Sequence, residues 1–259
     1  MITENFLNPF LSKVLQKMEK TNIIELKGVA KYYEMGDSIV KALDGVNITI
    51  EKGDFVAIMG PSGSGKSTGM NLTGSLDLAT KGEIYLDKEN IELLGESELA
   101  QIRGKKIGFI FQQFNLIPNL TAKENVMLPM LFQNVDEEER GEKAEELLKM
   151  VGLEDRMDHY PNQLSGGQQQ RVAISRSLAN NPEVILADEP TGNLDSKTEI
   201  KIMEFLTELN KKGKTIVIVT HAPEIAEEYA NTIYWLKDGK VEKVTKRVGN
   251  KWKTIKSMS

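Results

Sequence analysis

The chain has 259 residues, of which 40% are hydrophobic and 27% charged, a composition typical of a folded protein with a substantial core. It has no cysteine, which excludes disulfides, thiolate metal sites and cysteine nucleophiles, and no apolar run approaches the roughly 20 residues of a membrane-spanning helix. The net charge of −5 is unevenly spread: 136–146 is strongly acidic and the segment from Lys237 onward is strongly basic. We interpret the acidic run as a solvated helix face and 246–259 as a basic tail, either merely solvated or in contact with anionic lipid or nucleic acid.

The first 21 residues form an N-terminal extension with its own pattern. Apolar side chains recur there at three- and four-residue spacing, which predicts one stripe of an amphipathic helix: Phe6, Leu7, Phe10, Leu11, Val14, Leu15 and Met18. This helix would cap the main domain or, alternatively, contact a partner or a membrane surface. A third alternative is that translation starts at Met18. The start of the chain carries no signal-peptide pattern, so a cytoplasmic location is expected.

From residue 22 the pattern changes to that of an α/β domain. Short strands are predicted at 23–26, 39–43, 46–50, 55–59, 82–86 and 107–111. Residues 121–180 are then helical, most clearly at 144–151 and 168–178, and buried strands at 184–187 and 215–220 flank a helix at 198–209. This order predicts a parallel core sheet with two appended parts.

The strongest motif is a glycine-rich turn between the apolar run 55–59 and a helix. It fits the P-loop pattern G-x-x-x-x-G-K-[ST] at Gly60, Pro61, Ser62, Gly63, Ser64, Gly65, Lys66, Ser67 and Thr68. Backbone N–H groups of such a turn surround phosphate oxygens, and the helix that follows directs its positive end at them. Lys66 would reach the β- and γ-phosphates, and the Ser67 hydroxyl would bind Mg²⁺.

A second apolar strand, at 184–187, ends in two carboxylates. Asp188 suits the Mg²⁺ shell, directly or through water, and Glu189 is free to orient or deprotonate an attacking water. Many strands end in acidic residues, so this pair alone indicates little. Downstream of a P-loop, however, it strongly indicates a metal ligand and a catalytic carboxylate.

A third motif, Leu164 followed by Ser165, Gly166, Gly167 and Gln168, opens a helix. Ser165 is a good N-cap, and the two glycines leave backbone N–H groups accessible to an anion. An ordinary capped helix would explain the serine but not the paired glycines, so we interpret the motif as a half-site that completes the P-loop of another chain.

These motifs, in this order, resemble those of ATP-binding cassette (ABC) ATPases over about 23–244. The resemblance implies a RecA-like P-loop NTPase core at 22–245, with an antiparallel β subdomain and a helical subdomain inserted at about 113–175. It further implies that ATP and Mg²⁺ bind, that two copies form a head-to-tail dimer, and that ATP is hydrolysed to ADP and phosphate.

The resemblance also implies roles for four residues outside the three motifs. Tyr33 is similar to the aromatic residue that stacks on adenine, although Tyr32 is an alternative. Gln112 matches the glutamine that contacts Mg²⁺ and the γ-phosphate, with Gln113 as the weaker alternative. Asp195, in the Gly192 to Asp195 loop, matches the acid that couples the two sites of the dimer. His221 matches the histidine that contacts the γ-phosphate, and its place after a buried strand agrees with that role.

The segment 111–126 is similar to that of ATPases from lipoprotein-release and macrolide-export systems (the LolD and MacB type), with the cell-division ATPase FtsE nearby. This implies a separate integral-membrane permease as partner, a peripheral position on the cytoplasmic face of the membrane, and a groove for the permease lined in part by 114–120.

Several alternatives to this reading stay open at the level of sequence. An FtsE-like ATPase would regulate a membrane complex without transport. ABC ATPases that act on nucleic acid carry long coiled-coil insertions, and the 53 positions between Gln112 and Ser165 leave no room for one, so no nucleic-acid partner is expected. An ordinary P-loop kinase would leave the Ser165 motif unexplained.

Overall fold

A seven-stranded sheet forms the centre of the molecule, which we describe from a computed structural model covering residues 21–36 and 38–257. Its strands are β3 (Phe55–Met59), β6 (Ile107–Ile110), β7 (Val184–Asp188), β8 (Thr215–Thr220), β9 (Thr232–Lys237), β10 (Lys240–Val248) and β11 (Lys251–Ser257). Their order in the sheet is β11-β10-β9-β3-β8-β7-β6, and β9, β3, β8, β7 and β6 run parallel. Every residue of β3 and β8 is buried, because both faces of the sheet are covered, and this explains their continuous apolar sequences.

A second, antiparallel sheet has the order β2-β1-β4-β5. Its strands are β1 (Asn22–Met35), β2 (Ser38–Glu51), β4 (Lys81–Leu86) and β5 (Glu89–Asn90). The two short strands predicted at 39–43 and 46–50 are one strand, which passes Gly45 at a φ of 76° without ending. The inner face of this sheet shares a buried cluster with one face of the core sheet, so the antiparallel part is fixed to the core by packing.

Seven α-helices lie in the described residues. They are α1 (Lys66–Thr73), α2 (Glu96–Lys106), α3 (Ala122–Leu131), α4 (Glu137–Met150), α5 (Gly166–Leu178), α6 (Ser196–Lys211) and α7 (Pro223–Tyr229). Helices α3, α4 and α5 pack together as the predicted helical part, and α4 begins well before the predicted 144–151. The acidic run lies on the exposed face of α4, as expected from its composition, while Leu147 and Leu148 face the core.

The segment predicted as a basic tail is, over its described part, a hairpin on the core sheet. β10 continues through residue 246 and pairs with β11, and Trp252 packs against the main core. Lys246 and Lys253 lie directly opposite each other across the two strands. The sequence did not predict this hairpin, because both the exposed and the half-buried positions of its lysine-rich strands are mostly charged or polar. The alternation of apolar and polar residues that marks a strand is therefore missing.

The predicted N-terminal extension falls almost entirely on residues 1–20, outside the described part of the chain, and so do its apolar stripe and Met18. In the described residues, no helix has the length and apolar character needed to cross a membrane.

Candidate functional site

Four neighbouring strands of the core sheet deliver the predicted site residues to one edge. The P-loop follows β3, His221 follows β8, Asp188 ends β7, and Gln112 lies two residues beyond the end of β6. Because β3, β8, β7 and β6 are adjacent and parallel, their carboxyl ends meet at the same edge, where ligands bind in open α/β sheets.

The lysine of the P-loop folds back onto the start of the turn. The Lys66 ammonium donates to the carbonyl oxygens of Gly60 at 2.8 Å and Pro61 at 2.9 Å, and these two bonds fix its positive charge at the turn. Gly65, the N-cap of α1, has a φ of 95°, and a Cβ there would lie 2.3 Å from the Ala42 carbonyl oxygen. Only glycine fits this position, since its backbone is left-handed and β2 touches it.

Ser67 and Asp188 meet beside the P-loop lysine. The Ser67 hydroxyl lies beside the Asp188 carboxylate, and Lys66 attracts the same group. Burial, together with the neighbouring charge of Glu189, nevertheless raises the pKa of Asp188 above its usual value. A hydroxyl and a partly desolvated carboxylate are oxygen ligands of the kind that Mg²⁺ prefers, and a dication would relieve the repulsion between the two acids. The residues present therefore fit this metal.

Glu189 and His221 are 32 positions apart in the chain and in direct contact. Glu189 Oε1 lies 2.7 Å from His221 Nδ1, and Glu189 is held at a φ of 45° by a bond from its own N–H to the Val219 carbonyl. A left-handed backbone costs a residue with a side chain of this size of order 1–3 kcal/mol, and such strain concentrates at functional sites. The imidazole is largely exposed, whereas the carboxylate is mostly covered, so the pair presents its histidine to the open side of the sheet edge.

Gln112 joins the same cluster from β6. Its side-chain nitrogen and the Cβ of Glu189 lie 3.4 and 3.5 Å from the position that a Cβ would take at Gly192, so the two residues flank this glycine. Asn193 donates to the Gln112 carbonyl at 3.0 Å, which ties the segment after β6 to the loop that ends at Asp195.

The two neighbouring tyrosines of β1 point to different partners. The Tyr33 hydroxyl donates to Asp77 at 3.0 Å and contacts the hydroxyl of Thr68 in the P-loop helix. The Tyr32 hydroxyl donates to Asp44 at 2.6 Å, away from Thr68. Adjacent residues of a strand face opposite sides, so only Tyr33 lies beside the P-loop.

The Ser165 motif forms a second cluster. Ser165 caps α5 by accepting from the Gln168 N–H, while Gln168 Oε1 accepts from the Ser165 N–H at 2.8 Å. Asp195 caps α6 in the same region and accepts from the Thr198 hydroxyl at 2.7 Å, contacts that lower the pKa of Asp195. A cavity of about 300 Å³ is lined by residues of both loops and by Lys201, a cation that the sequence analysis did not identify.

A larger apolar groove lies where the helical part meets the core. Its volume is about 620 Å³, and aromatic and aliphatic side chains dominate the lining: Leu76, Ile107, Phe109, Phe111, Leu128, Pro129 and Phe132. Of the segment 114–120, predicted to form this surface, Asn115 contributes to the lining, and most of the rest comes from β6, α2 and α3. Phe132 is 73% exposed, so the groove is open to a partner.

Arg176 joins this groove to the helix that begins at the Ser165 motif. Its guanidinium donates to the carbonyl oxygens of Phe114 and Asn115, just after the glutamine pair. Burial lowers the pKa of Arg176, and among the described residues it makes no ion pair. No sequence motif marks Arg176, since an arginine near the end of a helix is common.

The comparisons with known proteins agree with this geometry. The family model described as ABC transporter matches residues 43–192. The chain is 56% identical over 232 residues to the ABC transporter ATP-binding protein MJ0796 of Methanocaldococcus jannaschii. This alignment covers 88% of this chain and 98% of the relative. It is also 50% identical over 220 residues to the macrolide export ATP-binding/permease protein MacB of Bdellovibrio bacteriovorus, spanning 85% of this chain and 33% of that protein.

A solved structure of the MJ0796 cassette, a dimer in a post-hydrolysis state bound to ADP and Pi, matches the fold with a TM-score of 0.82 at 55% identity. The match covers 87% of this chain and 99% of that one. The expected fold class, a P-loop NTPase core with an antiparallel sheet and a helical part, is confirmed. The chain therefore belongs to the ABC transporter family, as an ATP-binding subunit that hydrolyses ATP.

Proposed function

We propose that this ATPase drives conformational change in a separate membrane permease, from the cytoplasmic face of the membrane and as a head-to-tail dimer. The observation that carries the proposal is the open apolar groove near Gln112, since Arg176 connects that groove to α5, which we call the signature helix because it begins at the Ser165 motif. A partner segment bound in the groove would therefore move together with the segment after β6 and with the Ser165 motif. Dimers of a relative support the pairing of two copies.

In the proposed mechanism, the turn 60–68 binds the ATP phosphates and Lys66 neutralises the β- and γ-phosphates. Tyr33 stacks on the adenine. Glu189 orients and deprotonates the attacking water, and its contact with His221 keeps the carboxylate directed at the sheet edge. His221 and Gln112 contact the γ-phosphate, so closure of the site depends on both.

Mg²⁺ would be held by Ser67 and Asp188, with Gln112 as a further ligand. The metal supplies charge neutralisation at the phosphates when bound. Asp188 contributes the negative charge, and the Ser67 hydroxyl beside it contributes a second oxygen ligand.

The second copy is proposed to complete the site. Ser165, Gly166, Gly167 and Gln168 of one chain offer backbone and side-chain donors to the γ-phosphate held by the other chain. Asp195 lies at the same cavity and would connect one site to the other. ATP drives closure in this scheme because it binds the closed dimer more tightly than the open one.

Among family branches, we propose the lipoprotein-release and macrolide-export type, in which the permease transmits force. The similarity to MacB over the ATPase part supports this branch. The regulatory alternative, control of a membrane complex without transport, uses the same site and groove and differs only in the partner.

The test is purification of the tagged chain from the membranes of its own cells, identification of the permease that co-purifies, and measurement of ATP hydrolysis by the complex. Phe132→Asp places a charge in the groove at a side chain that is already exposed, so we expect association with the permease to fall at least about tenfold. Leu93→Asp is the matched control, because Leu93 is 81% exposed on the antiparallel part. Equal association of both variants would contradict the groove proposal.

A further inference from the structure

Tyr33 is held by a network that reaches three parts of the ATPase. Its hydroxyl donates to Asp77 Oδ2 at 3.0 Å and contacts Thr68 in the P-loop helix. The other oxygen of Asp77 accepts from the Lys31 ammonium at 2.6 Å and from the Leu78 N–H at 2.8 Å. Asp77 thus links the antiparallel sheet, the P-loop helix and the loop that follows that helix.

The same network leaves one face of the tyrosine ring available. The Lys31 ammonium lies over the ring, 5.1 Å from its centroid, and is fixed there by Asp77 and by the Leu78 carbonyl at 2.8 Å. The Lys31 side chain is only 14% exposed, whereas Tyr33 is 38% exposed. One face of the ring is therefore covered by a cation, and a flat group can stack only on the opposite face.

We propose that Asp77 is a positioning residue for the nucleobase: it fixes the hydroxyl of Tyr33 and the ammonium of Lys31, so that the ring is oriented for adenine before the nucleotide binds. This inference rests on the proposed stacking role of Tyr33. An unanchored side chain loses rotamer freedom when a ligand stacks on it, whereas an anchored ring has already lost that freedom, so the nucleotide binds more tightly.

Another tyrosine shows that the arrangement is not enough by itself. Tyr85, in the same antiparallel sheet, donates to Glu83 at 3.1 Å and has Lys27 over its ring at 4.2 Å. This trio repeats the chemistry of Tyr33, Asp77 and Lys31, but among the described residues its hydroxyl interacts with Glu83 and not with the P-loop helix. What distinguishes Tyr33 is the contact of its hydroxyl with Thr68, and Glu83 therefore provides a matched control.

The experiment measures the Kd of the full chain for ADP and, as a probe without a base, for inorganic pyrophosphate, both with Mg²⁺. Asp77→Ala and Tyr33→Phe break the same hydrogen bond from its two sides. We expect each to weaken ADP binding about 3- to 10-fold and to leave pyrophosphate binding within about twofold. Glu83→Ala should change neither constant.

A double variant tests whether Asp77 acts through the ring. In a Tyr33→Ala background, adding Asp77→Ala should cause no further loss of ADP affinity. The inference is overturned if Asp77→Ala leaves ADP binding unchanged, if it weakens pyrophosphate binding equally, or if its effect adds fully to that of Tyr33→Ala. Should Tyr33→Ala itself bind ADP normally, the stacking role and this inference both fail. A strong Tyr33→Ala effect with a silent Asp77→Ala overturns the inference alone.

Discussion

The two glycine-rich turns of this chain, the P-loop at 60–68 and the signature loop at 164–168, are built in different ways. The P-loop has no side-chain cap: the N-cap of its helix is Gly65, and Lys66 donates to carbonyls of the turn itself. The signature helix begins with a full capping box between Ser165 and Gln168. The first turn carries its own cation and lies beside two carboxylates, whereas the second presents mainly a capped helix end.

In the proposed dimer, this difference would give the two turns different roles. A turn with a lysine, a serine and two acids around it can hold a phosphate chain and a metal in one subunit. A capped helix end can add donors to a phosphate that is already bound, and it needs no metal ligand. The comparison therefore predicts that substitutions at the P-loop edge abolish ATP hydrolysis within one copy. Substitutions at the signature loop should instead remove the donors that the second copy adds to the phosphate.

The largest expected effect is at the P-loop edge, with Glu189→Gln. The amide keeps the shape of the side chain but cannot accept the proton of the attacking water, so hydrolysis should fall about 10²- to 10⁴-fold while ATP binding persists. The variant should accumulate as a nucleotide-bound dimer, detectable by gel filtration with ATP. A variant that hydrolyses ATP at the normal rate would remove Glu189 from the role of base.

Gly166→Asp tests the other turn. A Cβ at Gly166 would meet only the Phe114 ring, at 3.7 Å, so the fold accommodates the substitution, and the new carboxylate repels phosphate. We expect hydrolysis to fall about 10²- to 10³-fold while each monomer still binds ATP. Gly167 would be a poor choice, because a Cβ there lies 2.9 Å from Thr198 and would disturb the fold. Unchanged hydrolysis would contradict the half-site.

Sequence alone could predict both turns because each is a continuous motif with a local physical cause. The strand before the P-loop is apolar throughout, and the serine cap of the signature helix lies three residues before its glutamine. The contact between Glu189 and His221 could not be derived from composition or spacing, since it depends on β7 lying beside β8. The resemblance implied a role at the nucleotide for His221, but the contact between the two side chains was not predicted.

Residues that act through tertiary contacts could not be found in this way. Asp77 lies in a loop that has no motif, and its contacts appear only when β1 brings Tyr33 and Lys31 to it. The apolar groove of the structure is lined mostly by residues outside 114–120, because Phe109 and Phe111 look like ordinary strand residues in the sequence. The different partners of Tyr32 and Tyr33 likewise depend on side-chain directions that the sequence does not show.

A smaller effect concerns the charge at the P-loop edge. Burial raises the pKa of Asp188 from its usual 3.8, so the folded state holds this proton more tightly than the unfolded chain. The free energy of unfolding must then decrease as the pH rises from about 3.8 through the raised value, because the unfolded chain loses the proton first. Asp188→Asn removes this penalty and should stabilise the nucleotide-free chain more at pH 7 than at pH 4.

Urea unfolding at pH 4, 5.5 and 7 without Mg²⁺ measures this difference. Asp158→Asn, at an exposed position, is the control for loss of one negative charge. A constant difference between Asp188→Asn and the parent chain across this range would contradict the burial argument. The signature loop carries no equivalent buried carboxylate among its described lining residues, so the pH effect should be confined to the P-loop edge.

The smallest effect separates the cap of the signature helix from its proposed contact with phosphate. Ser165→Ala loses the acceptor for the Gln168 N–H and should lower the free energy of unfolding by about 1 kcal/mol. Ser165→Asp restores a cap and hence the stability, but it directs a negative charge at the partner's phosphate and should hydrolyse ATP more slowly than Ser165→Ala. Thr121→Ala is the matched control, because Thr121 caps α3 with the same box, formed with Glu124. Thr121→Ala should lower the free energy of unfolding by a similar amount and leave ATP hydrolysis unchanged. If Ser165→Asp hydrolyses ATP as fast as the parent chain, Ser165 is only a helix cap, and the signature loop makes no contact with phosphate through this residue.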